Sequence, residues 1–365
     1  MLEPNSAVMN NKLINANRRF LGSVLLALAG AMAPTLTTNA DPITELRSLS
    51  VFKNADLAKL TAGDVLASQG PGTRFSRGGS AESAYIVRAP AKTTVGLIQQ
   101  WRPTQHPELR VYLQEDVSAR VSPNDFQNLA SAPSNSSVKA FVDATEKLPG
   151  DASKLQLSSA EVKQYTGGGA AGGGTIPTPV VAFWSQVLAQ RAKSFVSGGL
   201  AAQPPYQTSG SAILAADEVA RLLEESGSVR SQFASLISAT AIGGGRGSLT
   251  PSLSWQLFHG GARGSVSLAA VSLDAFYARP AADGWQTADL GFYSSGGYYV
   301  AVTLHQLWPM QVEGSEATLV WRVDLVSSAA LGGLRGAERL GSGAAMMREI
   351  QTNVRAFIKD TPRGK

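Results

Sequence analysis

Residues 85–101 read YIVRAPAKTTVGLIQQW. Ile86 alternates with Tyr85 and Val87, the period of a β-strand, as far as Pro90. Proline has no N–H for a ladder, and its fixed φ suits the first turn of a helix. From Lys92 the period changes: Thr94, Leu97, Ile98 and Trp101 fall on one helical stripe, and Pro103 stops it. A strand that hands over to an amphipathic helix needs a sheet beside it and an apolar surface beneath the helix.

The sheet is supplied by 248–327, where the apolar residues recur every second position. SLSWQLF (252–258) aligns Leu253, Trp255 and Leu257, and WQTADLGFYSS (285–295) aligns Ala288, Leu290 and Phe292. YYVAVTLHQLW (298–308) aligns Tyr298, Val300, Val302, Leu304 and Trp308. ATLVWRVDLV (317–326) sets Leu319, Trp321, Val323 and Leu325 against Thr318, Arg322 and Asp324. With GSVSLAAVSLD (264–274) these are five strands on short connections, which predicts an antiparallel meander with one apolar face. Earlier strands are predicted in GDVLASQG (63–70) and ELRVYLQED (108–116), with a loop over 70–80.

Residues 120–246 read as helical. The firmest segment is 180–197, with Val180, Trp184, Val187, Leu188, Phe195 and Val196 on one side. Ser158 and Glu161 have capping-box spacing, and TGGGAAGGG (166–174) reads as a tether. A loop over 328–343 leads to a last helix, 344–359, striped by Met347, Ile350, Val354, Phe357 and Ile358. An apolar sheet face must be covered, and this helix is the only long unpaired amphipathic element after the meander. The expected fold is therefore α+β: an antiparallel sheet wrapped around a long C-terminal helix, with an inserted helical segment.

Residues 1–40 have the pattern of an export signal. Lys12, Arg18 and Arg19 precede the apolar run Phe20–Met32, and a small-residue region ends at Ala40. That run is shorter than the roughly 20 residues of a bilayer span. The expected organisation is signal peptide (1–40), first strands and helix (41–120), helical insertion (121–246), then meander and closing helix (247–365). The expected location is periplasmic or extracellular, with no stable membrane span after cleavage.

Composition removes several chemistries. The absence of Cys excludes disulfides, thiolate metal sites and a cysteine nucleophile. The net charge of +5 comes from dispersed Lys and Arg without an aromatic-interleaved basic stripe, so no nucleic-acid partner is expected. His106, His259 and His305 are far apart in sequence, and His305 falls on the outer, polar face of its strand. No metal, phosphate-loop, G-x-S-x-G or other catalytic constellation is visible, and no cofactor is expected. Arg322 and Asp324 share a strand face, where solvated outward charges are the ordinary arrangement.

The element order, with LAKLTAGDVLASQG (57–70), YIVRAPAKTTVGLIQQW (85–101), TLVWRVDLVSSAAL (318–331) and MMREIQTNVRAFIKD (346–360), resembles the START-like superfamily. These helix-grip domains include lipid-transfer domains and polyketide cyclases. The resemblance covers roughly 55–120 and 248–360; the helical stretch between them is longer than the family's usual segment. It implies a cavity between closing helix and sheet, walled by Trp255, Leu268, Phe292, Leu304, Trp321, Met347 and Ile350. It also implies a lipid or other apolar small molecule as ligand. The competing readings are an envelope structural protein whose core these residues fill, and a cyclase or hydrolase, which would need polar groups converging in the cavity.

Overall fold

The opening stretch forms the junction expected of it. Strand β2 ends at Val87, Pro90 caps the following helix, and the Ala89 carbonyl accepts a hydrogen bond from the Thr318 hydroxyl at 2.7 Å. Thr94 bonds the same hydroxyl at 3.2 Å, so the first turn of the helix is pinned to the strand beside β2.

The computed structural model describes residues 41–150, 152–167, 174–207, 212–263 and 266–361. The expected signal at 1–40 and the middle of the glycine tether lie outside them. The described residues form one compact unit. It begins with α1 (Pro42–Leu49), α2 (Leu57–Thr61), β1 (Leu66–Gln69), β2 (Gly78–Val87), α3 (Ala91–Gln100) and β3 (Val111–Asp116). A helical stretch follows: α4 (Ser136–Glu146), α5 (Ser159–Val162), α6 (Thr178–Gly198), α7 (Ala215–Glu225), α8 (Gly227–Gln232) and α9 (Ala234–Ala239). Five long strands come next: β4 (Ser252–Arg263), β5 (Val266–Ala281), β6 (Gly284–Ser294), β7 (Val300–Val312) and β8 (Ser315–Ser327). The chain closes with α10 (Ala329–Gly332) and α11 (Gly336–Asp360).

The eight strands form one antiparallel sheet in the order β1-β2-β8-β7-β6-β5-β4-β3. The fold is thus α+β, and the five-strand meander is present. Its apolar face, however, is covered by the helical insertion and not by the last helix. Phe195 of α6 stacks on Phe292 with ring centroids 3.9 Å apart, Phe233 meets Trp321 at 5.7 Å, and Phe126 meets Trp255 at 6.1 Å. Each such side chain contributes roughly 1.5–3 kcal/mol by leaving water. A buried ion pair helps hold this layer together. The Arg191 guanidinium donates to both Glu161 oxygens at 2.6 and 2.7 Å and lies 4.0 Å from the Tyr293 ring centre. Glu161 also closes the capping box expected with Ser158.

The last helix packs on the opposite face, over β1 and β2, where Ile350, Val354 and Phe357 join Tyr85, Val87 and Val320 in a second apolar cluster. Two local expectations change. Helix α11 starts at Gly336 rather than at 344, and β2 begins inside the expected 70–80 loop. The Arg339 guanidinium links the two, donating to the carbonyls of Ser76, Gly78 and Leu331. Gly343 sits where an added Cβ would come within 2.8 Å of the Gln69 side chain, so here glycine serves close approach and not a turn. Among the described residues, no helix is long and apolar enough to cross a membrane.

Candidate functional site

The seven residues expected to wall one cavity are divided between the two faces. Trp255, Leu268, Phe292, Leu304 and Trp321 belong to the core beneath the insertion, and the four other than Leu268 are fully buried. Met347 and Ile350 lie with α11 on the far side of the sheet. Side-chain alternation is the reason: these five residues of β4 to β8 point to one face, and α11 occupies the other.

Between α11, α3 and that other face lies a pocket of about 200 Å³. Its walls are apolar on the helix side, with Ile98 and Trp101 from the end of α3 and Val354 and Phe357 from α11. Its floor is polar. Arg322 from β8, Thr303 and His305 from β7, and Asp289 from β6 all face it, as do Gln256 and Ser254 from β4 and Gln114 from β3. The expectation that Arg322, Asp324 and His305 lie on a solvated outer face is corrected by this placement, because α3 and α11 roof that face. His305 is 4% exposed.

The register explains the convergence. Asp324 stands opposite Thr303, Thr303 opposite Asp289, and Asp289 opposite Phe276, while Arg322, His305 and Thr287 form the next row. Adjacent rows on one face are two residues apart, so Asp289 and His305 are diagonal neighbours, roughly 7–8 Å between Cα atoms. Arg322 is tied to the protein through each of its three nitrogens. Its Nε and Nη2 donate to Asp324 at 2.7–3.1 Å, and Nη1 donates to Asn353 Oδ1 of α11 at 2.8 Å. Asp324 also accepts from the Thr303 hydroxyl at 2.9 Å. The side chain of Asp289 has no hydrogen-bond partner among the described residues.

The charges respond to this setting. Burial raises Asp289 to about 6, against the lowering influence of Arg322, and the Asp324 charge adds to the rise. Asp274, on β5, is raised well above the usual carboxylate range by burial and then by Asp289, while a hydrogen bond from the Ser272 hydroxyl at 2.9 Å opposes the shift. His305 is held well below its ordinary value by burial and by Arg322, so its imidazole is neutral at physiological pH. Its Nδ1 pairs with the Thr287 hydroxyl at 3.0 Å.

The pocket adjoins a wider vestibule of about 750 Å³, with Gln99, Gln114, Ser254 and Phe276 lining both. The vestibule is formed by α3, β3, the 246–251 loop and the end of α6. An Arg102–Asp116 ion pair at 2.8 Å stands at its wall, and Gln99 bonds Ser252 at 2.9 Å where the two spaces meet. At the other end of the roof, Asp360 accepts from Trp101 Nε1 at 2.9 Å and lies 2.6 Å from His106 Nε2, closing the end of α11 over Trp101.

The expected arrangement of functional residues missed Asp289, Asp274, Thr303, Asn353 and Gln114. One signal was available: aspartate is depleted within strands, and three aspartates sit inside β5, β6 and β8. Among the described residues, no three or more His, Cys, Asp or Glu side chains are grouped as a metal site requires. In comparison with known proteins, no family model matches this chain and no curated protein is similar to it.

Proposed function

We propose that this is an exported small-molecule-binding protein of helix-grip type whose ligand is amphipathic and is held between the polar sheet face and helices α3 and α11. The observation that carries the reading is a polar face beneath two helices. A filled core in that position would be apolar, because an enclosed charge or hydroxyl costs more than it returns unless it is fully paired. Here Asp289 and His305 border open space that leads to a vestibule.

The helix-grip part of the reading is supported by lining and order. Seven strands, β2 to β8, contribute to one pocket of about 200 Å³. Laid flat they would span roughly 29 Å, so one small space can be shared only if the sheet bends round it. The polar floor favours an amphipathic ligand over a wholly apolar lipid, with its apolar body against Ile98, Phe276, Val354 and Phe357. The pocket is below the usual 300–1,000 Å³ of ligand sites, so a larger ligand would extend into the vestibule.

Native mass spectrometry of gently purified protein, with organic extraction of what it carries, tests this reading. A retained small molecule that is lost on Val354→Trp, which fills the pocket, is the expected result. A protein that carries nothing, and whose melting temperature no amphipathic compound shifts, would count against it.

A second reading is favoured by the same pair: a carboxylate near neutrality beside a neutral imidazole suits general acid–base work of cyclase type. Turnover of a bound compound, abolished by Asp289→Asn, would separate catalysis from carriage.

A further inference from the structure

We propose that the inner pocket selects a small organic cation, a protonated amine on an apolar body, through Asp289. This rests on the pocket being a ligand site and adds the chemistry of what enters it.

Arg322, the pocket's cation, is committed to Asp324 and Asn353 through all three of its nitrogens. Its charge is thus already balanced by Asp324, and an anionic head would also meet the carboxylate of Asp289, which lines the pocket. Asp289, by contrast, is a carboxylate without a hydrogen-bond partner, and a carboxylate accepts only from donors or cations.

His305 supplies the independent observation. It is 4% exposed and lines the same pocket, and its Nε2 has no partner among the described residues. Where the Thr287 hydroxyl donates to Nδ1, Nε2 is a donor to the ligand; where the hydroxyl accepts, Nε2 is an acceptor for an ammonium. The second tautomer is the one that receives an ammonium, and the nitrogen that would do so belongs to a side chain bordering the pocket.

The walls fit the same class. Tyr85, Trp101, Phe276 and Phe357 line the pocket, with Trp101 and Phe357 edge to face at 5.7 Å and Tyr85 and Phe357 at 6.2 Å. A carboxylate among aromatic faces favours an organic cation by ion pairing and by cation–π attraction. A metal ion would want three or more ligating side chains, which this donor set does not bring together.

The test uses phenethylamine, its neutral hydroxyl analogue 2-phenylethanol, and phenylacetate, titrated by ligand-observed NMR into the full chain and into Asp289→Asn. At about pH 8 the amine is protonated and Asp289 ionised. The expected order in the wild type is amine, alcohol, acid, with the amine favoured over the alcohol by about tenfold or more. Asp289→Asn should erase that preference. An alcohol that binds as well as the amine, or a preference that survives in the variant, overturns the cation assignment and leaves the pocket reading intact. Failure of all three to bind overturns both.

Discussion

Asp289→Asn should make the folded protein more stable, although it removes a charged group from the centre of the pocket. The usual aspartate value is 3.8, and burial raises Asp289 to about 6. At about 1.4 kcal/mol per tenfold, holding this group ionised in the fold costs up to ~3 kcal/mol well above that pH. Water reaching the half-buried carboxylate through the vestibule trims the figure to ~1–3 kcal/mol. Because the value is raised on folding, the native state keeps its proton longer than the unfolded chain. Wild-type stability therefore falls as pH rises from about 4 through about 6. Asparagine has the same shape and nothing to ionise. The variant's advantage should be full near pH 8 and should vanish below about pH 3, where the aspartate is protonated in both states. Urea unfolding followed by tryptophan fluorescence across that range measures it directly. A variant no more stable than the wild type at pH 8, or a gap independent of pH, would mean that the carboxylate is already paired or hydrated. A carboxylate that weakens the fold it sits in is expected of a group kept for binding or chemistry.

Three further outcomes follow from named contacts. Arg191→Met should cost about 3–5 kcal/mol in denaturant unfolding, because it strands the Glu161 carboxylate inside the insertion, and adding Glu161→Gln should recover much of that loss. Phe292→Ala should cost about 3–5 kcal/mol in thermal unfolding, as for a packed aromatic stacked on Phe195; a loss below ~1 kcal/mol would instead indicate that Phe292 borders empty space. Asp360 is held below the usual carboxylate range by hydrogen bonds from His106 and Trp101, which outweigh the opposing effect of burial. Its contribution is therefore present above about pH 4 and lost as pH falls below it, and Asp360→Asn should cost about 1 kcal/mol at neutral pH, with a shift in Trp101 emission.

Much of the fold was legible in the chain. Alternation in 252–326 identified five strands and sorted their side chains, so that Trp321 and Val323 were separated from Arg322 and Asp324. Pro90 marked the turn from β2 into α3, and Ser158 with Glu161 marked the start of α5. Alternation assigns residues to faces, but it carries no information about what covers each face. The polar set was read as solvated because a polar sheet face usually meets water, and the glycines before Ala344 were read as loop because glycine is a poor helix former.

The sequence by itself determined which residues share a face, where strands give way to helices, and that neither disulfides nor thiolate chemistry take part. Only the tertiary structure decided that the insertion covers the apolar face while α3 and α11 roof the polar one, turning Asp289 and His305 from surface residues into the floor of a pocket. The physical reason is range. Periodicity arises from backbone geometry within a few residues, whereas enclosure depends on helices distant along the chain, each held by contacts such as Arg191 to Glu161 and Arg339 to the Gly78 carbonyl that no local pattern encodes.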